Sequence, residues 1–151
     1  MNLDVQTIKK LREETGAGVL EVKQALEKYD GDYEKSKAEL MEKGLAKAAK
    51  KSERVTRDGS IVSYIHNGAK VGSLVNVACE TDFVAKTDDF QKLCREIAMQ
   101  AATEDYESVE DLLNAEYIRD TSKKIKDLIQ ETIAKVGENI ELKAICRFSV
   151  R

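Results

Sequence analysis

The chain is short of the residues that carry most enzyme chemistry: its 151 residues include one histidine, three cysteines and no tryptophan. No stretch approaches 18 consecutive apolar residues, so we expect no membrane span, and the N-terminus lacks the apolar core of a signal peptide. Cys79, Cys94 and Cys146 stand in apolar patterns without a Cys-x-x-Cys pair, which predicts buried thiols in a reducing cytoplasm. The net charge of −3 gives no long-range attraction for nucleic acid.

No arrangement of residues predicts a catalytic, metal or cofactor site. Gly16 and Gly18 lie between two predicted helices, whereas a phosphate-binding glycine loop follows a strand. The Asp30-Gly31-Asp32 turn lacks the later glycine and glutamate of a calcium loop. We interpret His66, beside a predicted tight turn, as a structural or surface residue. We therefore expect a binding protein that is not an enzyme and needs no cofactor.

The first 44 residues predict a module of three helices. Asp4 is a candidate N-cap for the first helix, and the Thr15 to Gly18 turn, with its two glycines, separates the first helix from the second. A further turn at Asp30-Gly31 precedes a third helix that runs from Asp32 to Gly44. Residues 45–57 are basic and poor in large apolar groups, which predicts a linker that is helical at its start.

Residues 58–151 predict a second domain of the α+β class. Two alternating segments flank Asn67-Gly68, which is the strongest short signal for a β-hairpin. Helices are predicted over 87–103, 108–114 and 121–136, the last ending at Gly137. With the C-terminal strand, the hairpin makes a small antiparallel sheet packed with helices.

The C-terminal strand alternates apolar and polar residues, as in a half-buried antiparallel strand. The apolar face is predicted to comprise Ile140, Leu142, Ala144, Cys146, Phe148 and Val150, and the polar face Glu141, Lys143, Arg147 and Arg151. Ile145 is the one apolar residue predicted on the polar face. Such a sheet has an exposed edge, which proteins usually cover or pair, so we expect a homodimer, with a monomer whose helices cover the sheet as the alternative.

Residues 80–84, Glu-Thr-Asp-Phe-Val, connect a buried strand to an amphipathic helix. Phe83 is one of only three phenylalanines in the chain, and it stands next to a carboxylate, Asp82. An aromatic side chain on a connector either fills the local core or is offered to a partner. The local pattern alone favours the core.

Three ordered motifs across nearly the whole chain resemble bacterial elongation factor Ts. They are Thr15-Gly16-Ala17-Gly18 with the later Lys23-x-Ala25-Leu26 and Gly31-Asp32, then Thr81-Asp82-Phe83-Val84, and finally Ile133-Ala134-Lys135-x-Gly137-Glu138-Asn139-Ile140. The resemblance implies a ubiquitin-associated-like helical module and a dimerisation-type core domain.

The resemblance also implies a function, namely guanine-nucleotide exchange on elongation factor Tu in the cytoplasm during translation elongation. The partner would be bound in its GDP-bound and nucleotide-free states, with Asp82 and Phe83 inserted near its nucleotide and magnesium site. The implied partner-binding residues are Thr81, Asp82, Phe83 and Val84 with Leu11, Arg12, Thr15, Gly16, Ala17 and Gly18. No membrane or nucleic-acid partner is expected.

Some features depart from the family pattern or permit another function. Little chain separates the predicted helix that contains Met99 from Tyr117, where longer members of the family carry a second core subdomain and a coiled coil. One alternative is a ubiquitin-associated-type module fused to an unrelated α+β interaction domain. A second is RNA binding through the basic segment 43–57, although that segment has no aromatic residue for base stacking.

Overall fold

The N-terminal module forms as three helices in the computed structural model, which describes residues 3–151. The helices are α1 (Val5–Thr15), α2 (Val19–Lys28) and α3 (Tyr33–Ala49). Asp4 caps α1 by accepting from the Thr7 backbone N–H at 3.1 Å, and Asp32 caps α3 in the same way. A small core lies between the helices and consists of Leu11, Val22, Ala25, Leu26 and Leu40.

Helix α3 continues into the predicted linker, in line with the helical start expected there, and ties the module to the rest of the chain. It continues to Ala49, so the first five residues of the predicted linker are helical. Ala48 is buried in the larger core, outside the small core of the module. The segment therefore gives the module a fixed attachment at its C-terminal end.

The larger domain is built on the predicted hairpin and C-terminal strand. Strands β1 (Asp58–Ile65), β2 (Val71–Cys79) and β5 (Ile140–Ser149) form an antiparallel sheet in the order β1-β2-β5. Helices α5 (Asp88–Ala101) and α7 (Ile125–Val136) contribute most of the helical side chains of its core. The α+β class and the hairpin are confirmed.

The C-terminal strand changes face in the middle, so the predicted apolar face is wrong beyond Leu142. Leu142 pairs with Val77 and Ala144 with Asn76, which leaves Lys143 unpaired in a β-bulge. An extra residue reverses the alternation of side chains after it. Ile145 consequently packs against the core.

Four residues assigned to the buried face are instead exposed because of this bulge, and the first of them is Ala144. Cys146 is an exposed thiol, and Phe148 and Val150 are 74% and 67% exposed. The prediction that all three cysteines are buried is thus wrong for Cys146, while Cys79 and Cys94 are buried.

A short hairpin precedes the last helix, which begins four residues later than predicted. Residues between α4 (Asp82–Ala85) and α7 include α6 (Val109–Asn114), β3 (Glu116–Tyr117) and β4 (Asp120–Lys124). The predicted helix start at Thr121 is wrong because β4 is extended and pairs with β3. Asp127 accepts from the Lys124 backbone N–H at 2.8 Å and so starts α7 at Ile125.

None of the helices within residues 3–151 combines the length and the apolar character that crossing a membrane requires.

Candidate partner-binding site

The Thr81–Val84 segment forms a tight helical turn at the end of the central strand. β2 ends at Cys79, and Thr81 adopts an extended conformation and caps α4 by accepting from the Val84 N–H at 3.4 Å. Thr87 then caps α5, and its hydroxyl donates to the Val84 carbonyl at 2.7 Å. Two threonine caps, six residues apart, therefore hold a single turn between the strand and the helix.

The turn places adjacent side chains on opposite sides. Phe83 is 77% exposed, whereas Val84 and Ala85 are 4% and 6% exposed and belong to the larger core. Phe83 does not fill the core, so the choice that the local pattern favoured is wrong. The Val84 side chain, which the resemblance placed among the partner-binding residues, packs into the larger core and holds the turn against it.

Asp82 lies beside Phe83 on the exposed surface. Its carboxylate is 3.3 Å from the Lys86 ammonium group, one turn later in the chain, and both side chains are largely exposed. Such a pair contributes little to stability, and it leaves the Asp82 carboxylate accessible to a partner. The exposed surface of the turn thus presents an aromatic ring with a carboxylate next to it.

The backbone before this turn is held by residues that sequence reasoning did not single out. Glu138 accepts from the N–H groups of Glu80 and Thr81, and the Asn139 N–H donates to the Glu80 side chain at 3.1 Å. Both residues belong to a family motif, but the sequence pattern contains no signal that pairs them with residues 80–81, nearly 60 positions earlier.

The second predicted segment, Leu11 to Gly18, divides into buried and exposed residues. Leu11 and Thr15 are buried at 0% and 4%, so their side chains support the module and do not form its surface. Arg12, Gly16 and Gly18 are exposed, and Ala17 is half-buried.

Gly16 has a structural reason to be glycine. Its φ angle is +73°, and an added Cβ would lie 2.6 Å from the Lys135 Cα and 2.8 Å from the Ala134 carbonyl oxygen. Any side chain would therefore push α1 away from the end of α7 and strain the backbone.

Two apolar residues next to Gly18 are exposed and were not identified from the sequence as partner-binding candidates. Val19 is 42% and Leu20 is 68% exposed, although both lie in the first turn of α2. Leu20 falls outside the face that packs on the module core, and this off-face position is the signal that could have identified it. Exposed apolar residues beside a loop add to a surface that suits a protein partner.

Both predicted segments contact the C-terminal end of α7 or the residues directly after it. Gly16 packs against Lys135, and Thr81 hydrogen-bonds to Glu138, only three residues further along the chain. The end of α7 and the residues after it thus contact two motifs that lie 65 residues apart in sequence, the Thr15–Gly18 loop and the turn that carries Phe83.

The thiol nearest to the turn, that of Cys79, is not ionised at neutral pH. Burial, together with the nearby Glu138 and Asp58 carboxylates, raises the pKa of Cys79 to about 11, so its thiol stays protonated at neutral pH. Within residues 3–151, no three His, Cys, Asp or Glu side chains are grouped so that they could hold a metal ion.

Sequence comparison agrees with the three-motif resemblance. Residues 80–151 match the family described as Elongation factor TS. A protein named Elongation factor Ts from Clostridium botulinum (strain ATCC 19397 / Type A) is 47% identical over 148 residues, which cover 98% of this chain and 48% of that protein. The chain thus spans about half the length of the Clostridium relatives that it matches.

Shorter relatives match over almost their whole length. Proteins of the same name from Thermoanaerobacter sp. (strain X514) and Thermoanaerobacter pseudethanolicus are 41% identical over 191 residues, covering 97% of this chain and 94% of each relative. The fold and site define a small α+β protein with a surface-presented aromatic turn, and the chain belongs to the elongation factor Ts family.

Proposed function

We propose that the chain binds elongation factor Tu and promotes the release of GDP during translation elongation. In this proposal Asp82 and Phe83 enter the partner near its nucleotide and magnesium site, and the Arg12–Gly18 surface binds the same partner. The factor performs no covalent chemistry and acts in the cytoplasm, where elongation factor Tu acts in translation.

The exposure of Phe83 is the observation that carries this proposal. A phenylalanine that is 77% exposed on a capped, hydrogen-bonded turn presents a large apolar surface to water in a fixed place. Aromatic anchors of this kind dominate the energetics of protein interfaces. Since the turn is held by its own chain, little further ordering is needed on binding.

Exchange follows from differential binding, without any chemical step. If the chain binds nucleotide-free elongation factor Tu more tightly than the GDP-bound form, it must weaken GDP binding by the same factor. Each tenfold of that factor requires about 1.4 kcal/mol of differential contact. An aromatic anchor contributes about 2 kcal/mol or more where it is buried at an interface, which is enough to weaken GDP binding at least about tenfold.

The basic segment that prompted the RNA-binding alternative is partly neutralised within the chain. Lys43 pairs with Glu39 at 2.6 Å, and Lys47 pairs with Glu21. Paired lysines attract phosphates less than free ones do, so this geometry favours a protein partner over RNA.

Calorimetric titration of the chain into two forms of elongation factor Tu tests the proposal. We expect the affinity for the nucleotide-free form to exceed that for the GDP-bound form by at least about tenfold. Equal affinities for the two forms would contradict exchange activity, and no binding to either form would contradict the partner itself.

We also infer that the chain forms a homodimer through the outer face of its sheet. This face carries exposed apolar side chains from all three strands and the residue after β5: Ile61, Ile65, Leu74, Phe148 and Val150. The face includes the Cys146 to Val150 part of the neighbourhood predicted for dimer contacts, while Ile145 packs inward. A two-fold axis would place the same apolar face of two copies together.

Sedimentation equilibrium at micromolar concentration tests the dimer. The chain has a mass of 16.9 kDa, and we expect a mass near twice that value, with Phe148→Asp reducing it to that of one chain. A single-chain mass for the unmodified protein throughout the concentration series would contradict the dimer.

A further inference from the structure

The Glu138 carboxylate binds the backbone that leads directly into the Phe83 turn. Its Oε1 atom accepts from the Glu80 N–H at 3.2 Å and the Thr81 N–H at 3.0 Å, while its Oε2 atom accepts from the Thr81 hydroxyl at 2.7 Å. Hydrogen bonds to an ionised carboxylate are shorter and stronger than those between neutral groups. Both oxygens are thus used to fix two successive residues of one segment.

The Thr81 hydroxyl passes this constraint on to the helical turn. A hydroxyl has one proton to donate, and Thr81 gives it to Glu138. Its lone pairs are then directed to the Val84 N–H, at 3.4 Å, as the N-cap of the turn. Glu138 therefore orients the cap of the turn that carries Phe83.

Glu138 is itself held in place by its neighbours. Gly137 has a φ angle of +78° and ends α7, so that the chain turns sharply before Glu138. Asn139 is 2% exposed, its N–H donates to the Glu80 side chain at 3.1 Å, and its side-chain amide donates to the Arg54 carbonyl at 2.8 Å. Three segments that are distant in sequence are therefore joined at this point.

We propose that Glu138 is a positioning residue for nucleotide exchange, acting through the direction in which the Thr81 cap holds Phe83. This inference rests on the proposed function. None of the Glu138 hydrogen bonds in the described structure goes to Asp82 or Phe83, so its effect on a partner passes through the backbone. A turn fixed before binding loses less conformational freedom on binding than a mobile one.

Glu138→Ala is the direct test, and Glu96→Ala is its matched control. Glu96 is also a partly buried carboxylate with two partners, Tyr117 and Arg119, but it lies in α5 away from the turn. We expect Glu138→Ala to lower stimulated GDP release from elongation factor Tu about tenfold. We expect Glu96→Ala to lower the melting temperature and leave the release rate within about twofold. Equal release rates for the two variants would overturn the proposal.

A double variant separates positioning from general destabilisation. If Glu138 acts through Phe83, then adding Glu138→Ala to Phe83→Ala should change release by less than about twofold, because the two effects are not additive. The proposal would be overturned if Glu138→Ala lowered the release rate by the same factor in the Phe83→Ala background as in the unmodified chain.

Amide hydrogen exchange in the free chain supplies a readout that does not depend on elongation factor Tu. Glu138→Ala should speed exchange at the Val84 amide, whereas Glu96→Ala should not. An unchanged Val84 amide would overturn the positioning role. Failure of the unmodified chain to stimulate GDP release would instead contradict the proposed function, and the two failures are therefore distinguishable.

Discussion

Replacing Phe83 by alanine should impair nucleotide exchange without unfolding the chain. Its side chain is 77% exposed, and exposed substitutions usually change the free energy of unfolding by about 0.5 kcal/mol or less. An aromatic anchor at an interface costs about 2 kcal/mol or more on truncation, which corresponds to about a 30-fold loss in stimulated GDP release.

Phe90→Ala is the matched control, because the same residue type lies seven positions later and is fully buried at 0% exposure. Truncating a buried phenylalanine costs about 3–5 kcal/mol of stability. For a domain of this size, that lowers the melting temperature by roughly 6 to 20 °C.

Thermal melts and stopped-flow release of fluorescent GDP, measured on the unmodified chain and both variants, decide the matter. Phe83→Ala should melt at the same temperature as the unmodified chain and should stimulate GDP release more weakly. The reasoning would be refuted if Phe83→Ala melted as early as Phe90→Ala, or if its release rate matched that of the unmodified chain.

Three further outcomes are expected. Gly16→Ala should lower the free energy of unfolding in a denaturant titration by about 1–3 kcal/mol, because of its positive φ and the nearby Lys135 backbone. Gly18→Ala, at an N-cap with φ −68°, should lower it by less, about 0.5–1 kcal/mol. Hydrogen bonds from Lys28 and Lys43 lower the pKa of Glu39 from 4.5 to about 2. The stability that this shift contributes is fully present above pH 4.5 and is lost as the pH falls towards 2. The free energy of unfolding of Glu39→Gln should therefore fall less steeply with pH over that range than that of the unmodified chain. Removing residues 1–44 should weaken calorimetric binding to elongation factor Tu and leave a dispersed NMR spectrum.

Local signals in the sequence predicted several elements correctly. Asn67-Gly68 gave the hairpin, while Thr87 and Ser108 cap the helices that follow them. In each case the deciding interaction lies within a few residues of the chain, which is the range that sequence patterns describe.

The errors arose where a distant contact decides the structure. The bulge at Lys143 depends on pairing between β5 and β2, and the out-of-phase Ile145 hints at a change of face without locating it. The pairing of β4 with β3 likewise replaced the predicted first turn of α7, which overrides local helix propensity.

The candidate site shows the same division between local and distant information. The resemblance identified Phe83 and the Thr15–Gly18 loop, but the local pattern could not tell an exposed Phe83 from a buried one. The support from Glu138 crosses nearly 60 positions of sequence, and the exposure of Leu20 depends on how the three helices pack. Both required the folded structure.

The most direct test of the central claim is the rate at which elongation factor Tu releases fluorescent GDP, with and without the unmodified chain, in excess unlabelled GDP. The account predicts that the chain raises this rate in a saturable manner by at least about tenfold. A release rate that is independent of the chain at concentrations where calorimetry detects binding would contradict the account.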